Sequence, residues 1–171
     1  MFYLIRHGET DYSERNTKIF QGFGVHLAGL SKRGIMQIEQ IARDPRLSGA
    51  DIILSSPYTR ALQTAAILSK ELGASITIES DLHEWLANQD YVYVDDETAG
   101  RAYREYCRSG GTHSSKTQVW EETPSVRKRV IRVLEKYVPY KKVIVACHGM
   151  AIQAVMGAGH PDYGEIQEFD L

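Results

Sequence analysis

The chain has 171 residues, enough to sustain one core without disulfides or metal, and reads as a single domain over 1–171. Lys+Arg 20 against Asp+Glu 22 leaves a net charge of −2, so no basic field draws it to nucleic acid or to an anionic membrane, and any anion site must be local. No stretch reaches the roughly 20 apolar residues of a membrane span. Met1 leads straight into a strand-like run without leader character, and Cys107 and Cys147 show no CxxC spacing, which points to a reduced, cytoplasmic protein with neither a disulfide framework nor a thiolate zinc site.

Phe2-Tyr3-Leu4-Ile5 reads as the first buried strand, and Arg6-His7-Gly8-Glu9-Thr10 stands at its mouth. There a guanidinium with forked donors, an imidazole and a glycine that permits a tight turn make a phosphate pocket with a nucleophile in it. A polar loop with Gln21-Gly22-Phe23-Gly24 follows, then Ser31 as N-cap of a helix to about Arg43, with Ile35, Ile38, Ile41 and Ala42 at helical spacing. Asp51-Ile52-Ile53-Leu54 is the second strand. Ser55-Ser56-Pro57 is read as the cap and first turn of a helix from Pro57 to Leu72 that stops at Gly73, which puts Arg60 in its first turn.

Ser75 to Ile78 is a short third strand. From Asp81 to about Thr123 the chain turns tyrosine-rich and mixed in charge, an excursion carrying one helix; over about 85–123 it reads either as a substrate-facing cover or as a solvated amphipathic helix with its loops. Pro124 and Ser125 open an amphipathic helix through Tyr137, with Val126, Val130, Val133, Leu134 and Val138 assigned to the core. Lys142 to Cys147 is a strongly apolar strand ending in His148-Gly149, and Glu165 to Leu171 fits an edge strand. Strands alternating with helices predict an α/β fold, a three-layer α/β/α sandwich with a mostly parallel sheet and helices on both faces.

Two strands therefore end alike, at His7-Gly8 and at His148-Gly149. In open α/β sheets ligands bind outside the carboxyl ends of the strands, so His7, His148, Arg6 and Arg60 are expected to converge there, beside helix N-termini that favour an anion.

On these residues the chain resembles the histidine phosphatase superfamily, the phosphoglycerate mutase-like proteins. The resemblance is carried by Arg6 to Thr10, by Gln21-Gly22, by Leu30-Ser31-Lys32-Arg33-Gly34-Ile35-Met36-Gln37, by Ser55 to Ala65, by Leu82-His83-Glu84 and by His148-Gly149, in the family's order. It implies a phosphatase that hydrolyses phosphomonoesters with no metal or other cofactor. His7 would take the phosphoryl group covalently, Arg6, Arg60 and His148 would hold its oxygens, and Glu84 would protonate the leaving oxygen and then activate water. Nearby Arg6 and Arg60 would keep His7 neutral. Thr10, Gln21, Gly22 and Gly149 are implied to contact phosphate or substrate. So is Ser13, which stands where the family usually has asparagine, with Asn16 three residues later.

The implied partner is a small phosphomonoester or a phosphoprotein. The segment Trp85 to Asp90 lacks the Tyr-Gly element of the mutases, which favours hydrolysis over a phosphoglycerate-type mutase, and an intact acid argues against a non-catalytic phospho-ligand binder. Cys147 heads no Cys-x5-Arg, and no Gly-x4-Gly-Lys-Ser/Thr occurs. His83-Glu84 lacks the second histidine of a zinc motif, and Gly22-x-Gly24 does not continue as a dinucleotide turn.

Overall fold

A computed structural model describes residues 1–14, 24–90, 92 and 94–171. Gln21 and Gly22, with Asn16, Tyr91 and Tyr93, lie outside the described residues. The strands are β1 (Phe2–Arg6), β2 (Ile52–Ser55), β3 (Ile76–Ile78), β4 (Val143–Cys147) and β5 (Ile166–Phe169). The helices are α1 (Gly24–Leu27), α2 (Lys32–Ile41), α3 (Thr59–Leu72), α4 (Asp96–Arg108), α5 (Thr123–Glu135) and α6 (Gly149–Met156). One sheet runs β3-β2-β4-β1-β5, parallel except for β5, which lies antiparallel on β1 as the edge strand.

Strand alternation sorts the core into two layers. Phe2, Leu4, Leu54, Val143 and Val145 pack against Val126, Val130, Val133 and Leu134 of α5 and against Ile152 and Val155 of α6. Ile5, Ile53, Ile144 and Ala146 face the other way, onto Ile38 of α2, Ala42 just after it, and Ala65 and Leu68 of α3. Each buried aliphatic side chain contributes about 1.5–3 kcal/mol of transfer free energy. This is the α/β/α sandwich that the sequence pattern predicts, with helices on both faces.

Ser31 caps α2 as expected, its side chain accepting from Gly34 N, and Gly73 ends α3 with φ at 72°. Two expectations need correction. Helix α3 begins at Thr59 with Tyr58 as N-cap and no side-chain cap, because Ser56 is engaged elsewhere; Pro57 precedes the helix. Val138 is 56% exposed, since α5 ends at Glu135 and the periodicity stops applying. Gly149–Met156 is a helix that amphipathic spacing did not announce, because six of its residues are buried and no polar face exists. No helix among the described residues is long and apolar enough to cross a membrane.

Candidate active site

Register brings the two histidines together. Arg6 pairs with Cys147 as the last rung between β1 and β4, so His7 and His148 are the next residues on adjacent strands, and alternation turns both toward the α3 side while Arg6 goes to the other. The His7 N–H still donates to Cys147 O at 3.0 Å. The rings meet edge to face with centroids 5.2 Å apart, and both are buried.

His7 has a defined tautomer. Its Nδ1 lies 2.8 Å from Gly8 O, which can only accept, while its Nε2 lies 3.1 Å from Arg60 Nε, which can only donate. Nδ1 therefore carries the proton and Nε2 keeps its lone pair. The pKa of His7 is lowered to about 3, first by burial and then by the Arg60 charge, with Arg6 contributing less and the Gly8 bond opposing. Burial is thus a larger cause than either of the two arginines expected to keep His7 neutral.

Arg60 is itself buried in the first turn of α3, its Nη1 donating to Val25 O at 2.8 Å. One turn later Thr64 accepts from Gly8 N at 3.3 Å and donates to Arg60 O at 2.9 Å, tying the nucleophile's loop to the arginine's helix. Gly8 is required here: a Cβ on it would stand 2.6 Å from Gly34 O.

His148 Nε2 lies 2.7 Å from Ser56 Oγ, and that oxygen accepts from Tyr58 N at 3.3 Å. This is why Ser56 does not cap α3. Burial, then Arg60 and His7, lowers the His148 pKa well below the ordinary value. Its Nδ1 is buried with no partner, and Arg6 Nε is in the same condition. A buried polar atom left unpaired costs about 1–3 kcal/mol, a cost that an anionic ligand reaching both atoms would remove. Arg6 is steadied by Nη1 donating to Pro161 O at 2.7 Å and by the Tyr163 ring, 3.8 Å from its Cζ.

Glu84 follows a short 3₁₀ turn, Ser80–Leu82. Its Oε1 accepts from Trp85 N at 2.8 Å and its Oε2 from Met150 N at 3.5 Å, so the carboxylate sits at the amino end of α6, where the helix field favours negative charge. Behind it Arg129 Nη1 donates to Asp81 O at 2.6 Å and His83 O at 2.7 Å, and Nη2 to Glu84 O at 3.3 Å.

The remaining expected contacts divide. Thr10 is buried, with Oγ1 3.4 Å from His7 Nδ1. Gly149 opens α6 directly after His148. Ser13 is exposed, its N–H donating to Asp11 Oδ1 at 2.9 Å. Sequence reasoning missed His26, whose ring stacks on Tyr58 at 4.2 Å and whose pKa burial and Arg60 lower to about 4. It also missed His160, 3.4 Å from Arg6 Nη1, and Tyr163, 5.7 Å from the His7 ring. None of these sits at a motif spacing; only their chemical type could have marked them. Among the described residues, no three His, Cys, Asp or Glu side chains are placed to hold a metal ion.

Comparison with known proteins bears on the fold and the family. A Hydrogenobacter thermophilus protein provisionally named phosphoserine phosphatase 2 is 29% identical over 160 residues, covering 90% of this chain and 75% of that one. The probable phosphoglycerate mutase GpmB of Salmonella paratyphi C is 35% identical over 83 residues, so that match spans 48% of this chain and about a third of that one, at 36%. The solved structure of a mycobacterial glucosyl-3-phosphoglycerate phosphatase in complex with VO3 shares the fold, with a TM-score of 0.68 at 19% identity over 96% of this chain and 88% of that one. The model of the histidine phosphatase superfamily (branch 1) matches residues 2–169, and the chain belongs to that superfamily.

Proposed function

We propose that this protein is a phosphomonoesterase that works through a phosphohistidine at His7 Nε2. The observation that carries the reading is the tautomer: the nitrogen with the free electron pair is the one beside Arg60. Nε2 attacks phosphorus, the bond from phosphorus to the ester oxygen breaks, and Glu84 gives that oxygen its proton. Water then attacks the phosphohistidine and Glu84 takes its proton, so that inorganic phosphate leaves and neutral His7 returns.

Arg60, Arg6 and His148 stabilise the transferring group, whose charge spreads over three equatorial oxygens. Arg60 must exchange its bond to Nε2 for bonds to those oxygens. With Ser56 donating to His148 Nε2, the His148 Nδ1–H becomes a donor to phosphate. Thr10, Ser13, Gln21, Gly22 and Gly149 are assigned subsidiary contacts. The chain would act as one unit over 1–171, and its two free thiols suit a reducing cytoplasm.

Release of phosphate from 4-nitrophenyl phosphate, compared between wild type and His7→Ala, tests the reading. Wild type should turn over, the variant should lose at least about 10³-fold, and vanadate should inhibit wild type competitively. Equal release by both proteins overturns the phosphohistidine route.

A further inference from the structure

The two backbone groups that hold the Glu84 carboxylate belong to Trp85 and Met150, and both side chains lie in one apolar cluster with Tyr106, Trp120 and Ala102. Trp85 is fixed by Nε1 donating to Glu121 O at 2.6 Å. Tyr106 meets Trp85 at 5.5 Å and Trp120 at 5.4 Å between centroids and is buried with Trp120. Tyr103, on α4, lies parallel to Tyr106 at 6.3 Å and edge-on to Trp85 at 6.1 Å, but is 44% exposed. An aromatic face thus starts at the acid and ends open to solvent. Its phenol senses the acid as well: Tyr103 is raised above its ordinary pKa, first by its hydrogen bond with Cys107 and by burial, and in part by the Glu84 charge.

The acid must lie next to the ester oxygen, so whatever that oxygen carries extends along this face. A carboxylate-bearing substituent would set its charge against aromatic rings and near the Glu84 carboxylate. A flat apolar group would instead stack. Resting on the phosphatase reading above, we infer that the substrate class is phosphomonoesters of aromatic alcohols, with Tyr103 and Trp85 as the specificity-determining pair.

The test compares kcat/KM for benzyl phosphate, n-propyl phosphate, 3-phosphoglycerate and phosphoserine, which leave as alkoxides and differ chiefly in the group beyond the oxygen. Benzyl phosphate should exceed the other three by about tenfold, the size of one good aromatic contact. Tyr103→Ala should bring the benzyl-to-propyl ratio towards one through KM, while Tyr103→Phe should keep it. Equal efficiency across the esters, preference for either carboxylate-bearing ester, or an unchanged ratio in Tyr103→Ala overturns the inference and leaves the phosphatase reading standing. Absence of turnover with every ester and with 4-nitrophenyl phosphate overturns the phosphatase reading itself.

Discussion

Arg129 and Glu121 form a buried bidentate ion pair, Nε to Oε1 at 2.7 Å and Nη2 to Oε2 at 2.9 Å, with the arginine side chain 12% exposed and the glutamate 5%. The donors left over reach the carbonyls of Asp81, His83 and Glu84, so one guanidinium joins α5, the residue after Trp120 and the loop that carries the proposed acid. Arg129→Ala would strand a buried carboxylate and should cost about 3–5 kcal/mol. Lysine keeps the charge but not the fork, so Arg129→Lys should recover only part of that loss. Urea unfolding of both variants measures it; a change below about 1 kcal/mol for Arg129→Ala, the range of a surface pair, refutes the assignment.

Glu84 separates chemistry from folding. Its replacement by Gln keeps an acceptor for Trp85 N but removes the proton that an alkoxide needs on departure. Loss on n-propyl phosphate should reach about 10²–10⁴-fold, while 4-nitrophenolate, which leaves without help, should be affected far less. A uniform fall across the two esters would show that Glu84 supports the site without donating a proton.

The strands and the two histidine dipeptides were legible because each is local: an apolar run, then a polar residue where the run must end. The pairing of His7 with His148 needed only the parallel order and the rule that ligands sit at strand carboxyl ends. Helix α6 was illegible, since a helix buried on nearly all sides has no polar stripe to give it a period. Ser56 misled for a related reason, because the same hydroxyl could cap a helix or bond a histidine, and only the register of β2 against β4 decides for His148. Arg129, His26 and His160 reach the site from distant segments through side-chain packing, which no spacing encodes.

His7 should leave a mark on acid stability. Its folded pKa, lowered to about 3 by burial and then by Arg60, lies below the ordinary 6.5 that the unfolded chain keeps. Between those values the unfolded state binds a proton that the native state refuses, so stability is complete above the unfolded value and falls as pH drops towards the folded one. The slope is about 1.4 kcal/mol per pH unit for one such histidine. His148, also lowered, adds to it. Unfolding free energies of wild type and His7→Gln measured from pH 6 to 4 should diverge by that slope, with wild type the steeper. Parallel curves would mean that His7 takes up its proton in the folded state.

Gly149 and His160 test whether the Arg6 side of the pocket is built by packing. A Cβ on Gly149 would fall inside contact distance of His160 Nε2 and Cε1, so the exposed ring would have to leave the position in which its Nδ1 lies 3.4 Å from Arg6 Nη1 and 3.1 Å from Pro161 O. Gly149→Ala should therefore push His160 off Arg6 and cost about 1–3 kcal/mol, the usual penalty of overpacking. Arg6 also loses a neighbour that steadies it, so vanadate inhibition should weaken along with stability. In a His160→Ala background the obstacle is gone, and the same Gly149→Ala change should cost a few tenths of a kcal/mol at most, since φ at this helix position is ordinary for alanine. The double-mutant cycle then gives a coupling of about 1–2 kcal/mol. Additive losses would place the strain in the α6 backbone, and Arg6 would owe its position to Pro161 and Tyr163 alone.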